Sequence, residues 1–265
     1  MKIIFIGSGN LASHLSVALK ESGHTMLQVY SRTLSHAQQL ADALCCDATD
    51  SLELVRTDAD AYIISIKDDA ISHVAEILGK GREEAVFMHT AGSVSIQVLA
   101  KSVKHAAVLY PMQSFTKGRT LDFKEIPVFM EATDDISRIC VKTLSESVSD
   151  NVCWLDSDVR KKMHLAAVFA CNMTNHCYRL AEKMVQAEGI DFKLFAPLVM
   201  ETAHKAIVMS PRVAQTGPMV RNDVGVMQMQ LEMIDNPLAK KIYKTIAESV
   251  RADFLDNYQE NKKIT

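Results

Sequence analysis

The strand, turn and helix at the start of the chain restrict its fold more than any other segment. Ile3–Ile6 is entirely apolar and rich in β-branched residues, which is typical of a strand buried on both faces of a parallel sheet. The glycine-rich segment 7–12 follows directly, and Leu15 and Leu19 then recur at the spacing of a helix face. A glycine-rich turn between a buried strand and a helix is typical of a dinucleotide-binding α/β fold.

This turn matches the pattern GxGxxA, and each small residue in it has a physical role. Gly7 permits a tight turn, Gly9 lets the backbone approach a pyrophosphate, and Ala12 allows the helix to pack closely on the strand. Asn10 is expected to cap the helix, whose N-terminal amides attract phosphate groups. The alternative is a glycine turn without a ligand. The residues predicted here to bind a cofactor are Gly7, Ser8, Gly9, Asn10 and Leu11.

Strand-like and helix-like segments alternate through the first half of the chain. The strand-like runs after the first lie at 26–30, 61–66, 85–88, 106–109, 128–130 and 152–155. Such alternation predicts an α/β domain of the Rossmann type, with a doubly wound parallel sheet, over residues 1–155. Strand-like runs then stop and helical periodicity continues, so residues 156–265 are predicted to form an all-α C-terminal domain.

Composition excludes several classes of protein. Of the 265 residues, 48% are hydrophobic and 23% are charged, the net charge is −3, and no long basic run offers a nucleic-acid surface. The longest later apolar run, Leu165–Cys171, is far shorter than the roughly 20 residues that span a bilayer, and Gly7 ends the first run too early for a targeting segment. The six cysteines include no CxxC pair, and no His or Cys spacing resembles a metal site. We expect a cytoplasmic protein with no nucleic-acid, membrane or metal ligand.

The end of the second predicted strand indicates which dinucleotide is bound. NAD enzymes usually offer an Asp or Glu there to the ribose 2′-hydroxyl. This chain has Ser31, Arg32 and Thr33 instead, and two hydroxyls with a guanidinium suit a 2′-phosphate. NADP is therefore the predicted cofactor. The alternative is that Arg32 is only a solvated loop residue.

Later strand ends complete the predicted cleft, because ligands of such sheets bind at the carboxyl ends of the strands. Asp68 or Asp69 is interpreted as the cap of the following helix. His89 could act as a base, but a buried strand-end histidine is the favoured interpretation. The residues predicted to contact the cofactor in these segments are Ile66, Thr90, Gly92 and Met112.

Polar residues share one face of the first predicted helix of the second half. At about 100° per residue, Lys161, His164, Asn172 and Asn175 fall within one sector, among small residues. This pattern suggests the wall of a cleft, with His164 and Asn172 as catalytic candidates. The alternative is a partly solvated helix start with Asn172 bonded to backbone in the core. For Lys161, a solvated position is favoured.

A loop further along the chain contributes a third catalytic candidate. Gly217 and Pro218 fix the shape of this loop, and Asp223 is expected to cap the next helix. Arg221 could bind a substrate carboxylate or phosphate through two hydrogen bonds. The alternative is a salt bridge from Arg221 to Asp223 or across the domain interface.

Several of these segments together resemble one bacterial family. They are GSGNLA, SRT, HTAGS, YPMQSF, KMHLAAVFACN and TGPMVRND. The family comprises two-domain, Rossmann-like NADP oxidoreductases, described as deazaflavin-dependent NADP oxidoreductase-like, with an uncharacterised helical C-terminal domain. The N-terminal motifs are also similar to pyrroline-5-carboxylate reductase, ketopantoate reductase and hydroxyacid dehydrogenases. The resemblance implies that the helical domain builds a homodimer and closes the active site.

The leading hypothesis is an NADP-dependent oxidoreductase that transfers hydride between nicotinamide and a small carbonyl or imine bound between the domains. His164 would be the proton donor, Asn172 the orienting group, and Arg221 the anchor for an anionic substrate. The Lys-x-x-x-Asn pairing of hydroxyacid dehydrogenases is not reproduced, because Leu165 lies four residues after Lys161. Two alternatives are a regulatory protein that binds NADP without turnover, and a deazaflavin:NADP hydride exchanger.

Overall fold

The computed structural model describes the backbone of residues 1–262 and the side chains of residues 1–255. The chain divides into two compact units, Met1–Met173 and Thr174–Thr265. The predicted boundary after residue 155 coincides with the end of the last strand, at Trp154, and stays a prediction.

An eight-stranded sheet forms the centre of the first unit, in the order β3-β2-β1-β4-β5-β6-β7-β8. This order and the flanking helices confirm the predicted Rossmann-like fold. The strands are β1 Lys2–Ile6, β2 Thr25–Tyr30, β3 Asp47–Thr49, β4 Ala61–Ile64, β5 Val86–His89, β6 His105–Pro111, β7 Val128–Ala132 and β8 Val152–Trp154. The helices of this unit are α1 Asn10–Glu21, α2 Leu34–Leu44, α3 Ile71–Leu78, α4 Gln97–Ala100, α5 Asp135–Val148 and α6 Ser157–Ala167.

One strand pairing departs from the parallel arrangement. Strands β6 and β7 are antiparallel, while the other neighbouring pairs in the sheet are parallel. A parallel connection needs a crossover, usually a helix. The segment between β6 and β7 instead contains only a single 3₁₀ turn, Phe123–Glu125, so the chain returns in the opposite direction.

The sheet is buried on both faces, as the first strand predicted. Ile3 and Phe5 pack with Leu15 and other residues of α1, α2 and α5, and Ile4 and Ile6 pack on the opposite face with residues of α3 and α4. All four of these β1 side chains are fully buried. Because β1 lies between β2 and β4, the strand order reverses beside it, and the carboxyl end of β1 opens into the crevice where such sheets bind ligands.

A π-helix interrupts the long helical segment after the sheet. The α-helix α6 ends at Ala167, a π-helical turn covers Val168–Met173, and α7 Thr174–Ala187 follows. The predicted alignment of Asn172 and Asn175 with His164 assumed one regular α-helix, with about 100° per residue throughout, and it stays a prediction. The wider π turn changes the angular position of every residue after Ala167.

The second unit is helical, as predicted. After α7 come α8 Ala196–Val208, α9 Pro211–Ala214, α10 Pro218–Arg221, α11 Val224–Glu232 and α12 Pro237–Lys262. Within the described part of this unit, Ile234 and Ala239 are the buried hydrophobic residues, while Ile207 is 83% exposed. No described helix combines the length and the apolar character that a membrane span requires.

Candidate functional site

The glycine turn between β1 and α1 leaves the start of the helix uncapped. Gly9 is the N-cap residue of α1, no side chain hydrogen-bonds there, and the first turn contains no acidic residue. A Cβ on Gly9 would meet no atom within 4 Å, so open space lies above the turn. The turn therefore fits the phosphates of a dinucleotide, which would accept hydrogen bonds from free helix amides.

Gly7 has a different role from Gly9. Its φ of +117° belongs to a region that side chains rarely adopt, and a Cβ would lie 2.1 Å from the carbonyl oxygen of Ser65. Its amide donates to the carbonyl of Tyr30 at 2.8 Å. Gly7 is thus required to bring β1, β2 and β4 together, whereas a Cβ on Gly9 would lie in open space.

The predicted cap of α1 is wrong, and the side chain of Asn10 has another partner. Its amide Nδ2 donates to the carbonyl oxygen of Phe115 at 3.0 Å. One turn later, the His14 ring lies 3.0 Å from the carbonyl oxygen of Thr116 and 5.4 Å from the ring of Phe115. The loop after β6 is therefore attached to the first two turns of α1, a contact between residues too distant in sequence for local patterns to indicate.

The predicted 2′-phosphate site lies at the start of α2. Thr33 is the N-cap residue of this helix, no side-chain hydrogen bond caps it, and its first turn has no acidic residue. Arg32 is exposed, and the backbone amide of Ser31 donates to the carbonyl of Thr49 at 3.1 Å. Two hydroxyls, one guanidinium and free helix amides are thus grouped where an anion fits.

The other predicted cofactor contacts follow the carboxyl ends of β4, β5 and β6. Ile66 is half-buried, and its methyl carbon would lie 3.0 Å from a Cβ on Gly7. Thr90 is buried, with its amide bonded to the carbonyl of Ile64. Met112 is half-buried at the end of β6.

The predicted capping role of the aspartates after β4 is wrong. No side chain caps the 3₁₀ turn Asp68–Ala70 or helix α3. The carboxylate of Asp68 instead accepts a hydrogen bond from the hydroxyl of Ser93. This contact joins the loops that follow β4 and β5.

His89 lies fully buried at the end of β5, which agrees with the favoured interpretation. Burial lowers its pKa to about 3, and the positive charge of Arg160 contributes in the same direction. Nδ1 accepts a hydrogen bond from the amide of Ala91 at 3.2 Å. The ring is therefore neutral near pH 7 and supports the loop that carries Thr90 and Gly92.

His164 reaches the ends of β5 and β6 within the first unit. Its Nδ1 lies 2.9 Å from the hydroxyl of Tyr110, and the two rings meet edge to face with centroids 5.8 Å apart. A Cβ on Gly92 would lie 2.6 Å from Nδ1 of His164 and 2.8 Å from Cζ of Tyr110. Glycine at position 92 thus permits contact between the two rings, and a predicted proton donor lies beside a predicted cofactor residue.

Arg160 is a site residue that the sequence analysis missed. Its position beside Lys161 and Lys162 suggested a solvated basic face, yet Arg160 is fully buried. Its guanidinium donates to the carboxylate of Glu131, to the carbonyl oxygen of Val94 and to the hydroxyl of Ser157. The available signal was periodicity, because Arg160 lies four residues before His164 on the same helix face.

The remaining candidates on this helical segment are exposed. Lys161 pairs with Asp158 at 3.4 Å, which agrees with the solvated position favoured for it. Asn172 lies exposed in the π-helix, so it is not a core residue bonded to backbone.

Arg221 belongs to the second unit and is the exposed last residue of α10. Asp223 caps α11, as predicted, by accepting a hydrogen bond from the amide of Val226 at 3.3 Å. The catalytic roles of Asn172 and Arg221 stay predictions. In the part of the chain that the structure describes, no three His, Cys, Asp or Glu residues are grouped as metal ligands.

Two family descriptions match consecutive parts of this chain. Residues 2–91 match the family described as NADP oxidoreductase coenzyme F420-dependent, and residues 126–250 match a domain of unknown function, DUF2520. A comparison with curated proteins finds no match. The two domain families confirm the resemblance that the sequence motifs indicated.

Solved structures agree with this assignment. A candidate NADP oxidoreductase from Bacteroides fragilis is 41% identical, with a TM-score of 0.91 over 95% of this chain and 98% of that chain. A Thermotoga maritima protein is 25% identical, with a TM-score of 0.76 over 94% and 99%. A pyrroline-5-carboxylate reductase from Streptococcus pyogenes shares the fold at 16% identity, with a TM-score of 0.63 over 95% and 98%. The chain belongs to the family of NADP oxidoreductases in which a domain of the coenzyme F420-dependent type precedes a DUF2520 domain.

Proposed function

We propose that this protein is an NADPH-dependent oxidoreductase that transfers hydride between nicotinamide and a small carbonyl or imine. The observation that carries the proposal is the position of His164 beside Gly92 and Tyr110, at the carboxyl ends of β5 and β6. The same unit holds the open glycine turn at Gly9. A proton donor and a dinucleotide turn at the same edge of one sheet are what a reductase of this kind needs.

The preference for NADPH over NADH rests on the start of α2. Ser31, Arg32 and Thr33 offer hydrogen-bond donors there, and α2 has no acidic residue in its first turn that would repel a phosphate. A carboxylate, which would bind the 2′-hydroxyl of NAD, is absent from these three positions.

When bound, the nicotinamide supplies or accepts the hydride, and the chain supplies placement and proton transfer. In the reducing direction, the imidazole of His164 gives a proton to the oxygen or nitrogen of the substrate as electrons arrive there. Asn172, on the same helical segment as His164, orients the substrate. Positioned acid–base groups contribute about 10²–10⁴-fold to rate.

We also propose that a second copy of this chain covers the helices of the second unit. Many large apolar side chains are exposed on these helices, and soluble proteins commonly bury such side chains in an interface with a partner. Examples are Leu194, Leu198, Met200, Ile207, Val213, Met233 and Leu238. Most soluble oligomers are homo-oligomers, with twofold dimers the commonest. Light scattering should give twice the chain mass, and Ile207→Glu should shift the mass toward the monomer.

Screening a panel of small aldehydes, ketones, keto acids and cyclic imines with NADPH tests the proposed activity. Loss of NADPH absorbance with a carbonyl or imine compound supports it. His164→Ala should then lower turnover by about 10²-fold or more while the Kd for NADPH stays nearly unchanged. Lys161→Ala, an exposed change on the same helix, is the matched control.

The screen also separates the alternatives. Tight NADPH binding with no turnover of any compound favours a regulatory protein. Because residues 2–91 match the family described as coenzyme F420-dependent, the panel must include a deazaflavin. Hydride exchange between NADPH and the deazaflavin, with no turnover of any other compound in the panel, favours a deazaflavin:NADP exchanger.

A further inference from the structure

We propose that Tyr110 is a positioning residue that determines which nitrogen of His164 exchanges the proton with substrate. Its hydroxyl donates to Nδ1 of His164, so the neutral imidazole carries its proton on Nε2. This inference rests on the proposed function, because it assigns an atom to the proton transfer. The hydrogen bond itself can be measured without any substrate.

The Tyr110 ring is held in place independently of His164. Tyr110 lies in β6 and pairs with Phe129 of β7, and the centroids of the two rings are 6.1 Å apart. Tyr110 is also buried, with 7% of its surface exposed. The hydroxyl is therefore a fixed point at the end of the sheet, and His164, on α6, meets it at 2.9 Å.

The direction of the hydrogen bond follows from the protons available. Burial raises the pKa of the Tyr110 phenol, against the opposing effect of the positive charge on Arg160, so the phenol keeps its proton near pH 7. A phenol has one proton to donate, and Nδ1 of His164 is the acceptor that lies within hydrogen-bond distance. If Nδ1 carried a proton, the phenol oxygen would accept it and the phenol proton would lose this partner. Donation from Tyr110 satisfies both groups.

The contact between Tyr110 and His164 requires a glycine at position 92, in the loop after β5. A Cβ at position 92 would lie 2.6 Å from Nδ1 and 2.7 Å from Cγ of His164, and 2.8 Å from Cζ of Tyr110. These distances are shorter than real Cβ contacts, and the atoms belong to two rings that already touch. The backbone of the loop therefore packs directly on the hydrogen-bonded pair, with no room for a side chain.

The proposed tautomer gives a balanced proton transfer. As hydride reaches the electrophilic carbon, the electrons of the C=O or C=N bond move to the heteroatom, which takes the proton from Nε2. The phenol proton of Tyr110 passes to Nδ1, so the imidazole stays neutral. The resulting phenolate lies near the positive charge of Arg160. It takes the proton back from Nδ1 as water gives a proton to Nε2, which restores the starting tautomer.

The decisive experiment is a long-range ¹H–¹⁵N spectrum of histidine-labelled protein at a pH where His164 is neutral. His164→Gln assigns the signals. We expect a protonated Nε2 and a hydrogen-bonded, unprotonated Nδ1 in the unaltered protein. Tyr110→Phe should move the Nδ1 resonance toward that of an unbonded nitrogen. Tyr62→Phe is the matched control, because that buried hydroxyl donates to the carbonyl of Arg56 at 2.7 Å instead.

A proton on Nδ1 in the unaltered protein, or an Nδ1 resonance that Tyr110→Phe leaves in place, overturns the proposal. Gly92→Ala provides a second variant that retains both rings and should also move the Nδ1 resonance. Where a substrate is in hand, Tyr110→Phe should lower kcat about 10²-fold with the Kd for NADPH unchanged. Because the spectrum needs no turnover, failure of the proposed function and failure of this inference give different results.

Discussion

Arg160 of α6 and Glu131 of β7 form an ion pair in which the guanidinium is fully buried. The carboxylate also accepts hydrogen bonds from the amide and hydroxyl of Ser157, at the first turn of the same helix. Since His164 lies one turn beyond Arg160, this pair fixes the helix that brings the imidazole to Tyr110. The candidate site therefore depends on a charge interaction outside the predicted cofactor residues.

Removing one partner of this pair should destabilise the protein strongly. Arg160→Met leaves the Glu131 carboxylate without its charged partner, and such changes typically cost about 3–5 kcal/mol of unfolding free energy. Urea denaturation measures the loss. The double variant Arg160→Met with Glu131→Met should lose less than the sum of the two single variants. Lys142→Met, which breaks the exposed pair of Lys142 with Glu146, should cost under about 1 kcal/mol.

Protein stability should fall at acid pH because of His89. Burial is the main cause that lowers the pKa of His89 to about 3 in the folded protein, while the unfolded chain has the ordinary histidine pKa of 6.5. The unfolded state therefore binds a proton first as pH falls, and stability is lost progressively between about pH 6.5 and pH 3. The slope from this one group approaches about 1.4 kcal/mol per pH unit.

A variant isolates the contribution of His89 to this acid sensitivity. His89→Asn keeps an acceptor for the amide of Ala91 and removes the titrating ring. Urea denaturation at a series of pH values should give a shallower dependence for the variant than for the unaltered protein. If the free energy of unfolding depends equally on pH in the two proteins, groups other than His89 cause the loss of stability at acid pH.

Arg32 should decide between the two nicotinamide dinucleotides. Loss of a charge-assisted hydrogen bond costs roughly 1.5–3 kcal/mol, so Arg32→Ala should weaken NADPH binding about ten- to a hundred-fold. NADH lacks the 2′-phosphate, so its Kd in the same variant serves as the internal control and should change little. Equal affinity of the unaltered protein for NADPH and NADH would contradict the assignment.

Patterns over a few residues predicted the sheet well, because buried parallel strands are apolar along their whole length. Ile3–Ile6 and Ala61–Ile64 were found in this way. Strand β3, Asp47–Thr49, was missed, because three residues without an apolar pattern are held there by pairing with β2. The antiparallel direction of β7 was also missed, because it depends on the length and structure of the connection between β6 and β7.

Candidate site residues could be chosen from the sequence where a single segment carries the chemistry, as in the glycine turn and at Ser31–Thr33, and their roles stay predictions. Contacts between distant residues could not be found in this way. Gly92 was expected to contact a cofactor, but its closeness to Tyr110 and His164 joins three separate segments of the chain. Arg160 lies in a basic run, and its burial depends on Glu131, which is 29 residues away.

The two glycines of the phosphate turn should respond to substitution in opposite ways. Gly9→Val should fold, because the φ of −72° suits a side chain and a Cβ meets nothing within 4 Å. The same side chain would occupy the space of the pyrophosphate, so dinucleotide binding should be lost. Gly7→Ala should instead lower the thermal midpoint, because its φ is +117° and the Cβ would collide with the carbonyl oxygen of Ser65. Titration calorimetry measures dinucleotide binding and scanning calorimetry measures the thermal midpoint of each variant. A folded Gly9→Val variant that still binds NADPH would place the dinucleotide elsewhere.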